Sequence, residues 1–206
     1  MNSPFEIHVH ADVSLRQGVT LDQVQDALRP LWQYAGARSL ADGCVSSYPE
    51  EPGIRYEQRE HLLQMCWTVS GDMDIRPALE EMCMALNDLA ERAAAIEVSF
   101  YDAEYDEESE DEGSAEEARD DFLMLFVGPD PQAIMGLQRD MLINDVVQVM
   151  ERHFEASELE PVVKAIDGLF EQRYNAMLSS LDMQRILRGS GGYGGHGGGR
   201  KPRHLH

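Results

Sequence analysis

Glu6, His8, His10 and Asp12 stand two residues apart near the start of the chain. Residues at i and i+2 of a strand share a face. Two imidazoles bracketed by two carboxylates along one row form a donor set for a divalent metal. The same spacing also meets a plainer need. Phe5, Ile7, Val9, Ala11 and Val13 alternate with these four, and a half-buried strand requires polar residues on its outer face. An isolated His-x-His names no particular metal and no reaction. Gln64, Cys66 and Thr68, with Glu97, Ser99 and Tyr101, are expected beside this row.

The run Tyr101–Asp121 is the second constellation. It holds twelve carboxylates against one cation, Arg119. Asp102, Glu104 and Asp106 have the alternate spacing of the first ligands of an EF-hand. The pattern then fails, because Glu107 stands where glycine makes the sharp turn and Gly113 where the bidentate Glu belongs. Starting at Glu108 places Gly113 correctly but puts Arg119 at the last ligand position. The carboxylates Glu104, Asp106, Glu107, Glu108, Glu110, Asp111, Glu112, Glu116 and Glu117 are therefore read either as a solvated, disordered loop or as a docking segment for a basic surface. Tyr101 and Tyr105 would anchor such a contact. A sharper version imitates a nucleic-acid backbone and occupies a basic site on another protein.

The third constellation is the tail from Gly189, GSGGYGGHGGGRKPRHLH, with eight glycines in eighteen residues. Such a segment cannot offset its backbone entropy and is expected to be disordered. Arg200, Lys201 and Arg203 could seek an anion, and His196, His204 and His206 could hold soft metals loosely. A basic arm on a flexible linker is also expected to touch the acidic run transiently, because tethering raises its effective concentration.

No Ser, Cys and His approach a known nucleophile arrangement, and no P-loop is present. The tail glycines are not a dinucleotide fingerprint, since no strand precedes them and no helix follows. No catalytic residue and no cofactor are expected, and the reading leans away from an enzyme.

The net charge is −21; the acidic run contributes −11, the tail +3 and the remainder −13. A surface this acidic argues against direct nucleic-acid binding, which depends on phosphate-neutralising cations. It favours a partner with a basic surface. Apolar runs fall well short of the roughly 20 residues that span a bilayer. The opening MNSPFEIHVH lacks the basic region and apolar stretch of a signal peptide, so the cytoplasm is the expected location. Cys44, Cys66 and Cys83 are too scattered for a disulfide framework or a CxxC site, and are expected to be small core hydrophobes. His61 and His153 are read as ordinary surface or satisfied polar groups.

The elements that would position these groups follow from periodicity. Residues 5–13 alternate as a strand. Thr20-x-x-Gln23 opens a helix that ends at Gly36, with a kink expected at Pro30. Cys44–Tyr48 suggests a short strand before a turn at Pro49–Gly53, and 54–69 a longer one. Asp74 is expected to cap a second helix. Residues 95–102 and Phe122–Val127 are strands, the latter apolar enough for burial on both faces. Asp130-Pro131 opens a third helix, and Ser157-x-x-Glu160 a fourth.

The expected fold is α+β: a ferredoxin-like βαββαβ sandwich over residues 1–128, with an extra strand paired to the fourth across the acidic loop 101–121. A C-terminal helical hairpin over 129–188 would pack on the sandwich or on a second subunit, since its apolar arcs require cover. The expected function is that of a non-enzymatic regulatory or adaptor protein that binds a basic surface of another macromolecule. The alternatives are a ligand- or metal-binding domain at His8 and His10, which could include an enzyme, and a homo-oligomeric assembly subunit.

Overall fold

The computed structural model describes residues 5–102 and 121–189. The expectations for Glu104–Glu117 and for Arg200, Lys201 and Arg203 lie outside these residues.

The chain forms β1 (Phe5–Ser14), α1 (Leu21–Tyr34), α2 (Leu40–Gly43), β2 (Gly53–Glu57), β3 (Leu62–Gly71), α3 (Ile75–Asn87), β4 (Ala94–Asp102), β5 (Asp121–Val127), α4 (Pro131–Met150) and α5 (Ala156–Gly189). The strands make one antiparallel sheet in the order β2-β3-β1-β4-β5. The architecture is α+β. The chain divides into two compact units within α4, between Leu142 and Ile143.

In the first unit, the alternation of β1 decides which face is which. Ile7, Val9, Ala11 and Val13 are buried, as are Leu63, Met65 and Trp67 of β3 and Ile96, Val98 and Phe100 of β4. They share a core with Val24, Leu28 and Leu31 of α1 and Leu79, Met82 and Leu86 of α3. The row Glu6, His8, His10, Asp12 is thereby set on the opposite face of the sheet. At the start of α1, Thr20 Oγ1 accepts from Gln23 N (3.3 Å) and Gln23 Oε1 from Thr20 N (2.9 Å), the reciprocal capping its sequence implies. The helix then runs on through Pro30 to Tyr34.

Several local expectations are corrected. Cys44–Tyr48 is not a strand, and 54–69 is not one strand but the hairpin β2–β3. The chain reverses through residues 58–61, where His61 takes a positive φ of 51° and its carbonyl accepts from Leu15 N at 2.7 Å. His61 is not a satisfied polar group, because its buried Nδ1 has no hydrogen-bond partner among the described residues. Asp74 makes no side-chain cap; instead Asp72 Oδ1 accepts from Asp74 N (2.9 Å). β5 is an edge strand and is not buried on both faces: Phe122 is 57% exposed, Leu123–Phe126 are half-buried, and only Val127 is buried.

The second unit holds the end of α4 and α5. The latter helix opens before the expected capping box: Glu158 Oε2 accepts from Glu155 N (2.9 Å), half of such a box, and no side chain among the described residues returns the bond. Glu160 instead pairs with Lys164 one turn on (2.6 Å). Leu159 and Ile166 are buried, while Val149, Phe154 and Leu169 are exposed, and no residue of α4 is fully buried. The helices therefore do not cover their apolar arcs within the described residues.

Candidate functional site

The outer face of the sheet assembles from register. His8 of β1 stands opposite Thr68 of β3 and Ser99 of β4; His10 stands opposite Cys66 and Glu97; Glu6 opposite Ser70 and Tyr101; Asp12 opposite Gln64. The neighbours expected for the row are the neighbours found. What they do differs along the strand. Asp12 Oδ1 accepts from Gln64 Nε2 at 3.2 Å. Glu6 accepts from the Tyr48 hydroxyl through both oxygens, at 2.8 and 2.7 Å. His10 is exposed.

His8 is different, because the 44–53 segment folds onto it. Cys44 O accepts from Ile54 N (3.1 Å), and Gly53 between them adopts φ 73°. A Cβ at Gly53 would collide with the Cys44 carbonyl, so this closure requires glycine. Ser47 N donates to Thr68 O (2.9 Å) and Trp67 Nε1 donates to Val45 O (3.2 Å), which ties the segment to β3. Ser46 Oγ accepts from Thr68 N (3.0 Å) and donates to Glu51 Oε2. Thr68 Oγ1 donates to Glu51 Oε1 (3.0 Å) and lies 2.9 Å from His8 Nδ1. His8 Nδ1 is in turn 3.3 Å from Glu51 Oε1.

The result is a convergence of His8, Glu51 and Cys66, whose ligand atoms all lie within 4.8 Å of one another. Of the four residues singled out by spacing, only His8 takes part; Glu6, His10 and Asp12 do not belong to it. Glu51 and Ser46 escaped the sequence reading, because they come from a loop whose closure depends on tertiary contacts. The signal present in the sequence was Pro49-Glu-Glu-Pro-Gly53, a proline-braced turn presenting two carboxylates. The loop also borders a pocket of about 440 Å3, which Ser46, Tyr48 and Glu51 line together with Leu21, Leu40 and Ile54.

The three cysteines are free and fall into two kinds. Burial pushes the thiols of Cys44 and Cys83 up to about 12. Both are core hydrophobes, as expected. Cys66 is not: it is half-buried on the outer face, and its thiol is raised first by burial and then by the Glu51 charge. A raised thiol is a poor nucleophile at neutral pH, so the cluster does not form a ready thiolate site. The hydrogen bond to Glu6 likewise raises the Tyr48 phenol, and that bond holds the loop tip against β1.

Residues 5–171 match a family of unknown function, DUF6806. That span opens at the first residue of β1 and ends inside α5, so it covers the sheet, the 44–53 loop and the acidic run. The chain belongs to the DUF6806 family. The whole His8–Glu51–Cys66 convergence lies within the DUF6806 match, whereas the glycine-rich tail lies beyond it. No curated protein and no solved structure matches the chain.

Proposed function

We propose that this chain is a non-enzymatic adaptor or regulatory protein that binds a basic surface of another protein through its acidic insertion. The observation that carries the reading is the pairing of β4 with β5. Phe100 stands opposite Asp121, so both ends of the acidic run are fixed in adjacent strands. Tyr101 and Phe122 flank the run; they are 46% and 57% exposed and sit at outward positions of the two strands. Exposed aromatics beside a sequence run dense in one charge suit a protein interface, where aromatics supply anchoring area and charge supplies steering. Among the described residues no helix is long and apolar enough to cross a membrane; the cytoplasm is the proposed place of encounter.

The test is affinity capture from the native cell at low and at raised salt. The unaltered chain should retain a basic protein at low salt and release it as salt rises. Replacing the carboxylates of residues 104–117 by Ser or Asn, or Tyr101 and Phe122 by Ala, should abolish retention. Equal retention by all three chains overturns the reading.

The same proposal includes a scaffold of ferredoxin-like type for β1–β4 with α1 and α3. Its support is that each helical connection, β1 to β2 and β3 to β4, skips one intervening strand. A homodimer through the C-terminal helices is a second reading. It is favoured by the exposed side chains Val149 (67%) and Leu169 (65%).

A further inference from the structure

We propose that His8, Glu51 and Cys66 form a binding site for a zinc-like divalent transition metal. This site is independent of the acidic insertion and stands whether or not that segment docks a partner. Nitrogen, carboxylate oxygen and thiolate sulfur are the three donor types that zinc takes from proteins. Here they come from β1, the 44–53 loop and β3, elements distant in sequence, and their atoms lie within 4.8 Å of one another. Two donors on a tetrahedral zinc stand about 3.5–3.7 Å apart, given bonds of about 2.0–2.3 Å. The widest separation in the cluster therefore needs to close by about an ångström, within the reach of side-chain rotations.

The surroundings supply what such a site needs beyond its ligands. The Ser46 and Thr68 hydroxyls each donate to one oxygen of Glu51, which fixes the carboxylate plane. Cys66 stands opposite Gly53 on β2, so the residue that faces it there adds no side chain. The His8 side chain keeps 28% of its surface in solvent, which leaves an open side for water as a fourth ligand. Binding is balanced by one proton: the Cys66 thiol loses it to solvent, while the imidazole stays neutral overall, its proton passing through solvent from Nδ1, which faces Thr68 and Glu51, to the outward Nε2. No redox step is involved. The competing account treats the cluster as a hydrogen-bonded strut for the loop, and it predicts no metal affinity.

The experiment uses the full chain with His196, His204 and His206 changed to Ala, so that the tail cannot contribute. Cobalt(II) titration should give tetrahedral visible bands and a thiolate-to-cobalt charge-transfer band that saturate at one ion per chain, with zinc displacing the cobalt. Cys66→Ser should remove the charge-transfer band, while Cys44→Ser and Cys83→Ser should keep it. His8→Ala and Glu51→Gln should each abolish saturable binding, and Thr68→Val should weaken it by about 10-fold or more. A melting curve on each variant separates loss of the site from loss of the fold. Absence of a charge-transfer band in the folded parent chain, or its survival in Cys66→Ser, overturns the proposal.

Discussion

Thr68 belongs to the outer face of β3, yet only 3% of it reaches solvent, because the 44–53 loop lies over it. Its hydroxyl joins His8 to Glu51 in a place where an unmet polar group is expensive. Thr68→Val should therefore lower stability by about 1–2 kcal/mol, read as a shift in urea midpoint with an unchanged slope. The buried thiols predict a pH effect whose sign is fixed. Folding raises Cys44 and Cys83 to about 12, above their unfolded values. The native state then holds protons that the unfolded state releases, so stability is complete below about pH 9 and falls as pH rises toward 12. Urea midpoints measured across that window should decline, and the decline should flatten in the double variant Cys44→Ala, Cys83→Ala.

Elements with a repeating pattern were legible, and elements made by a turn were not. The strict alternation of β1 fixes its inner and outer faces without any structure, since one step of slip would expose every apolar residue. The Thr20–Gln23 capping box marks the start of α1 as directly. The β2–β3 hairpin was hidden because residues 58–61 include no glycine, and a histidine takes the positive φ. β5 is an edge strand in spite of its apolar run, because continuous apolarity does not distinguish a buried strand from an edge strand. Gly53 is where an element rests on one residue. Gly53→Ala meets both an unfavourable φ and the Cys44 carbonyl, and should cost about 2 kcal/mol or more in chemical unfolding. An alanine at Gly136, where a Cβ meets nothing within 4 Å, should not destabilise and serves as the control.

For the whole molecule, a strong negative charge coexists with exposed apolar side chains. The acidic run and the remainder of the chain are both strongly negative, while α4 and α5 leave Val149, Phe154, Leu169 and Leu178 exposed. If a second copy covers these side chains, light scattering should give twice the chain mass at micromolar concentration, and Leu169→Glu should return it to the monomer; a monomer at all concentrations removes that reading. The sequence by itself determined the α+β class, the two faces of β1 and the acidity of the molecule. These are properties of local periodicity and composition, which no later packing can reverse. Tertiary structure alone decided that His8, and not His10, meets a carboxylate and a thiol. Glu51 lies 43 residues from His8 in the chain, and it arrives only because Gly53 turns the backbone and Ser46, Ser47 and Tyr48 bind the loop to the sheet. Such a meeting depends on the closure of a particular loop, and periodicity carries no record of it.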